Sequence, residues 1–288
     1  MKAVFDTKAS SAYDDDVTRR YHFPGRYLDI VSRTVGDFVV FREPRDGGGS
    51  KAYFATARVD RVEPDATTSG HYYAFVSDYL TFARPVPWRV NGRYFEGSLR
   101  AIENVPQVGL YLRGRSVREI SEDDYRDIAM IGLNSAIEAA GIDLAQVSPD
   151  RRVAQCLVSR PVRDAAFRIA VCSAYDNRCA FLGWKICDRL GRFESQAAHV
   201  LPVALGGPDI IQNGIALSAT MHWLFDRHLV SVSDDYRLLV SDAVPLEVRR
   251  LIEQPEGRIE LPRDRGLWPS QTYLAQHRHS FAMTAQRA

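Results

Sequence analysis

Three short runs near the start of the chain, 37–42, 52–59 and 71–76, are rich in aromatic and β-branched residues and separated by turn residues. That pattern predicts strands. The glycines at 47–49 supply a flexible connection between the first two, because glycine accepts positive φ without strain. Short strands at this spacing predict a small barrel. Residues 1–20 are polar, carry the run Asp14-Asp15-Asp16, and predict a poorly packed lead-in. The stretch 85–120 holds Pro85, Pro87, Pro106 and several short apolar runs, and resists assignment. Ser121-Glu122-Asp123-Asp124 opens a helix, with a serine cap and acids in the first turn, that reaches about Ala140 and stops at Gly141. A charged linker over about 141–160 contains Ser148-Pro149-Asp150-Arg151-Arg152. Beyond it the pattern predicts a helix over 161–180 with Phe167, Ile169, Ala170, Val171 and Tyr175 buried. A strand over 192–200, a loop from Leu201 to Asn213 and a helix over 217–229 follow.

Composition narrows the class. At 288 residues the chain has a prior of two domains and length enough for a sizeable core. Its 45% hydrophobic and 25% charged residues are ordinary for a globular protein and exclude a collagen-like, coiled-coil or mainly disordered chain. No run approaches the roughly 20 apolar residues that cross a bilayer, and the charged start does not read as a secretory signal. Cys156, Cys172, Cys179 and Cys187 form no CxxC pair, so no disulfide framework or zinc knuckle is indicated and a reduced, cytoplasmic setting is expected. Cys172 and Cys179 read as buried thiols. Residues 1–150 carry 19 basic and 22 acidic side chains and residues 151–288 carry 18 and 14. This asymmetry is too weak to indicate nucleic-acid binding by itself.

The chemistry concentrates between 194 and 228. His222 and Asp226 are four apart on the last of these helices, so they share a face and can hold one ion. His199 is expected on the preceding strand, packed against that helix and facing the ion, and Asn213 closes the intervening loop. The words Gln196-Ala197-Ala198-His199-Val200-Leu201-Pro202, Gly207-Pro208-Asp209, Asn213-Gly214-Ile215-Ala216-Leu217 and His222-Trp223-Leu224-Phe225-Asp226 stand in that order. Over roughly 161–245 the chain resembles the HNH endonucleases of the ββα-metal fold. The resemblance implies that His199 is the general base and that Asn213 orients the loop or His199. It also implies that His222 and Asp226 bind a divalent metal, so that His199, Asn213 and His222 form the catalytic set. Such a site hydrolyses phosphodiesters with an activated water and a cation that holds charge on the phosphate. Magnesium or manganese is the expected ion, with zinc, nickel and cobalt as alternatives. One departure stands out: many HNH enzymes carry an acid or histidine directly before the first histidine, and here that position is Ala198. Glu194 and Gln196 are odd-numbered steps from His199, so strand alternation sends them to the other face unless a bulge intervenes. His228, His277 and His279 read as surface residues.

The first part of the chain mixes aromatic and basic residues. From Val35-Gly36-Asp37 through Ala55 and Ala57-Arg58-Val59 it resembles a PUA-like barrel of the EVE or YTH kind, over roughly 20–115. That resemblance implies a pocket for a flipped or modified base, in which a ring stacks on aromatic faces. Tyr21, His22, Tyr72 and Trp88 are the pocket candidates, and Arg42, Arg45 and Arg227 the candidate DNA contacts.

The expected fold is therefore α+β. A lead-in at 1–20 precedes a PUA/EVE-like β-barrel domain at 21–145 that recognises DNA, and a ββα-metal HNH endonuclease domain at 146–288 cuts it. The expected partner is double-stranded DNA carrying modified cytosine. The chain would act as a homodimer, because one HNH site cuts one strand. A second reading is a nucleic-acid-binding protein that keeps the HNH fold without its activity.

Overall fold

The structure, a computed structural model, describes residues 1–7, 16–44, 49–141, 157, 159–252 and 257–285. Arg45, Cys156 and most of the expected linker lie outside these residues. The chain divides into two compact units, Met1–Ala166 and Phe167–Ala288.

The first unit is built on a six-stranded sheet of β1 (Lys2–Asp6), β2 (Arg20–Pro24), β3 (Phe38–Arg42), β4 (Ala52–Pro64), β5 (His71–Pro87) and β8 (Val117–Ile120). Its order is β2-β5-β4-β3-β1-β8. β1 runs parallel to β3, and the other neighbours are antiparallel. A short helix, α1 (Leu28–Ser32), lies between β2 and β3 in the chain. The three expected strands are present, and two are longer than their patterns suggest. β4 and β5 continue through three register shifts, each of which bends the ribbon and interrupts the alternation visible in the sequence. The unassigned stretch holds the end of β5, the two-residue strands β6 (Arg89–Val90) and β7 (Arg93–Tyr94), short helices α2 (Gly97–Arg100) and α3 (Val105–Leu112), and β8.

The start of the chain is not a loose lead-in. Lys2–Asp6 is an inner strand whose Ala3, Val4 and Phe5 are fully buried. The apolar run is only three residues long, so composition does not betray it. What permits its burial is charge matching at both ends. Lys2 pairs with Asp37, and Asp6 accepts from Arg42 at 2.7 and 2.8 Å and from Arg118 at 3.0 and 3.2 Å. Arg118 in turn grips Glu96 at 2.7 and 2.8 Å, and the Tyr53 hydroxyl donates to Glu96 at 2.9 Å. Two guanidinium groups and two carboxylates neutralise one another out of reach of water. Arg42 is therefore no surface phosphate contact. Its side chain is 2% exposed and is committed to Asp6.

Helix α4 (Glu122–Ala139) is the expected one, with Ser121 accepting from the Asp124 amide at 3.0 Å. It lies so close to β5 that a Cβ on Gly132 would fall 2.4 Å from the Phe82 ring. That approach requires glycine in mid-helix, where its propensity is poor.

The second unit contains the two-stranded pair β9 (Gln196–His199) and β10 (Gly214–Leu217) and a second pair, β11 (Val230–Val232) and β12 (Leu238–Val240). Helix α5 (Arg160–Ala174) enters it from Phe167, and α6 (Ala219–Asp226), α7 (Leu246–Ile252) and α8 (Gln271–Ala285) complete it. α5 is shorter than its pattern, because Asp176 and Asn177 take left-handed conformations and end the helical path. α6 begins only after Ser218, since Leu217 is still paired in β10.

His277 is not the surface residue expected. It is 4% exposed, lies flat on Phe225 at 3.8 Å and is bonded to Ser231 Oγ at 2.9 Å. Its Nε2 faces His228 Nδ1 at 3.2 Å, so the half-buried His228 also has an interior partner. His279 is exposed, and Cys172 and Cys179 are buried thiols.

Arg118→Met leaves Glu96 charged and buried without a cation, and should cost about 3–5 kcal/mol in urea unfolding; adding Glu96→Gln should recover part of that loss. A second expectation concerns pH. Burial pushes the His277 imidazole down to about 4, against about 6.5 in an unfolded chain. Between those values the unfolded chain binds the extra proton, so stability should fall as pH drops from about 6.5 towards 4. The total is on the order of 3 kcal/mol. Urea melts at pH 7 and pH 5 should show it, and the difference should shrink in His277→Phe.

Candidate active site

The site is organised by a loop that is closed at its neck. β9 and β10 pair antiparallel with His199 opposite Gly214 and Gln196 opposite Leu217. Between the strands the chain runs out to Pro208 and back. Asn213, fully buried, ties this excursion together. Its Oδ1 accepts from the Leu201 amide at 2.8 Å, and its Nδ2 donates to the carbonyls of Leu201 at 2.9 Å and Pro208 at 3.0 Å. A carboxamide can serve a backbone donor and backbone acceptors together, as the acceptor-only carboxylate of an aspartate could not. The same crowding explains Gly207, where a Cβ would sit 1.8 Å from the Leu201 carbonyl oxygen.

His199 ends β9 with a quarter of its side chain exposed. Its ring is stacked on Phe167 of α5, with centroids 3.9 Å apart and planes 9° from parallel. Its Nε2 lies 2.9 Å from Asp209 Oδ1, at the far end of the tied loop. α5 reaches this position because Gly214 has no side chain: a Cβ there would lie 2.3 Å from Val171 and 3.1 Å from Phe167. Asp209 is a site residue that sequence reasoning left without a role. Its place in the Gly-Pro-Asp word was the available signal.

The second group lies on α6. His222 Nε2 faces Asp226 Oδ2 at 3.5 Å, the one-turn spacing expected of the pair. His222 Nδ1 lies 2.9 Å from Gln196 Oε1. An amide oxygen accepts, so Nδ1 carries the proton and the Nε2 lone pair is left facing the carboxylate. This is how metal-binding histidines are ordinarily held. Gln196 is thus a hydrogen-bond partner of His222. Glu194 works elsewhere. Its Oε1 accepts from the Ala219 amide at 2.8 Å and, with Ser218, caps α6. His199 and Gln196 do take opposite sides of β9, but the reverse of those expected: Gln196 meets His222 on α6, and His199, expected to face that helix and its ion, meets Phe167 of α5.

The donor set fits a divalent cation held by few protein ligands: one imidazole nitrogen and one carboxylate with their lone pairs facing. Among the described residues there is no group of three or more His, Cys, Asp or Glu that could hold a metal. Arg227, just past α6, lies with its guanidinium 4.3 Å from the centre of the half-exposed Trp223 ring.

The four pocket candidates of the first unit are not brought together. Tyr21 is core, stacked on Phe5 at 4.7 Å with its hydroxyl donating to the Asp6 carbonyl. Tyr72, partly buried, packs on Phe23 on that same side of the sheet. His22 alternates to the other side, where it stacks on Tyr73 at 4.5 Å and its Nε2 lies 3.1 Å from Asp65. Trp88 belongs to a separate small cluster with Tyr94.

Residues 179–233 match the family model described as HNH endonuclease. No curated protein matches the chain in sequence. Among solved structures, a modification-dependent TagI restriction endonuclease is similar at 14% identity and a TM-score of 0.33, over 96% of this chain and 80% of that one. The type IV phosphorothioation-dependent restriction endonuclease ScoMcrA is similar at 16% identity and a TM-score of 0.22, over 98% and 57%. The protein Rpa0253 from Rhodopseudomonas palustris matches 46% of this chain and 92% of its own, at 15% identity and a TM-score of 0.31. The family match falls on the strand pair, the tied loop and α6, so this part of the second unit carries an HNH endonuclease domain.

Proposed function

We propose that the chain is a metal-dependent restriction endonuclease that hydrolyses phosphodiester bonds in double-stranded DNA carrying modified cytosine. The observation that carries the nuclease chemistry is the arrangement at α6: His222, held by Gln196 at Nδ1, presents Nε2 to Asp226. These two residues would hold the divalent ion, magnesium or manganese first, with phosphate oxygens and water completing its shell. The ion supplies electrostatic stabilisation of the charge that develops on the scissile phosphate. His199 takes a proton from the attacking water, whose oxygen bonds to phosphorus as the bond to the leaving sugar oxygen breaks. Asn213 holds the loop on which this geometry depends. Arg227 and Trp223, exposed beyond the site, offer a phosphate contact and an apolar face.

The first unit would be the reader, a PUA/EVE-like module. In support, its sheet carries stacked rings with polar neighbours, among them the half-buried Tyr73 packed on the buried His22 beside Asp65. A base lifted from the helix can stack on such a surface at an unpairing cost of about a few kcal/mol, less when the pair is already perturbed. Cutting both strands calls for two sites, so a homodimer or two bound copies is part of the proposal. No helix among the described residues is long and apolar enough to cross a membrane; the proposed setting is the cytoplasm.

Plasmids that are unmodified, 5-methylcytosine-containing or 5-hydroxymethylcytosine-containing, incubated with magnesium, manganese or chelator, test this reading. Cutting should occur only on modified plasmid with metal, and His199→Ala should slow it by about 10²–10⁴-fold. Cutting of every plasmid overturns the modified-base reader. Binding without cutting under any condition points to an inactive HNH fold.

A further inference from the structure

The loop between β9 and β10 is built with more care than a connection needs. Asn213 ties its neck and grips the Pro208 carbonyl. Gly207 fits where no Cβ could. The ring of Pro208 locks its own φ directly before Asp209. The residue delivered by this construction is Asp209, whose side chain is 12% exposed and whose Oδ1 meets His199 Nε2 at 2.9 Å. A carboxylate only accepts, so Nε2 must carry the hydrogen and the lone pair of the neutral ring is on Nδ1. Phe167, parallel to the imidazole at 3.9 Å, closes one face of the ring and leaves its plane one orientation.

We propose that Asp209 is a positioning residue for catalysis: it fixes the tautomer and orientation of His199, so that Nδ1 is the nitrogen that takes the proton from water. When that proton arrives, the imidazolium faces a carboxylate already in place, and the charge formed in the step is met without rearrangement. Asn213 then acts on the reaction through two links, by way of the Pro208 carbonyl and Asp209. The inference rests on His199 being the base.

Asp209→Ala and the near-isosteric Asp209→Asn, each alone and combined with His199→Ala, test it in the full-length protein under single-turnover conditions on whichever plasmid is cut. Each single variant should lose about 10–100-fold in the cleavage rate at saturating DNA, with DNA affinity within about twofold of the native protein. Neither should cost anything further in the His199→Ala background, because a residue acting through His199 has nothing left to act on. In protein with ¹⁵N-labelled histidine, the hydrogen-bonded Nε2 proton of His199 should be visible and should disappear in Asp209→Ala. A loss that adds fully to that of His199→Ala, a loss confined to DNA affinity, or full activity in Asp209→Ala overturns the proposal. An Nδ1-bound proton on His199 overturns it as well. If His199→Ala cuts like the native protein, the assignment of the base itself falls, and this proposal with it. The asparagine variant keeps the test valid if the alanine variant misfolds.

Discussion

A buried carboxamide must find partners for both its ends, and the nuclease half of this protein is arranged around that requirement. Asn213 is fully buried and spends its oxygen and its nitrogen on the backbone of its own loop. The strand that ends at His199 and the loop that returns with Asp209 are joined through this knot. Leaving a buried amide unpaired costs about 1–3 kcal/mol per group. The loop therefore has one strongly preferred path, not a range of them.

The site is assembled from pairs: His199 with Asp209, His222 with Gln196, Ala219 with Glu194. Each pair sets the proton position or the direction of a group that would otherwise be free to turn. Two histidines with nearly the same intrinsic chemistry acquire different roles this way. A carboxylate at Nε2 of His199 places the hydrogen there and leaves the lone pair on Nδ1. An amide oxygen at Nδ1 of His222 leaves Nε2 as a lone pair beside Asp226. Nothing in the identity of the histidine distinguishes the two; their neighbours do.

The first unit solves a different problem by similar means. A strand with charges at its ends occupies an inner position of the sheet, which is possible because Arg42, Arg118, Asp6 and Glu96 cancel one another. Such a set contributes little net stability compared with a well-packed apolar alternative, but removing one member is costly. It joins the first strand, the third strand and the chain near residues 96 and 118, segments far apart in sequence. The resulting sheet separates neighbouring aromatic residues by alternation, so Tyr21 packs in the core while His22 stands on the other face.

Sequence alone determined the parts of this protein that rest on local rules. The serine cap and acids of α4, the three aromatic strands and the one-turn spacing of His222 and Asp226 are short-range features, and each was legible from residue type and interval. The order of the nuclease words was legible for the same reason, since a strand, a loop and a helix in succession impose fixed separations. Tertiary structure decided what depends on residues distant in the chain. Three apolar residues at 3–5 do not announce a strand; they became one because cations at 42 and 118 met Asp6. A histidine at 277 does not announce burial; the ring of Phe225 and the hydroxyl of Ser231 provided the place. Gln196 became a partner of His222, and Glu194 a cap, because α6 lies where it does. The partner of His199 is ten residues away along a loop whose closure no periodicity encodes. Local pattern reports which face a side chain takes, whereas only the packed chain reports what that face meets.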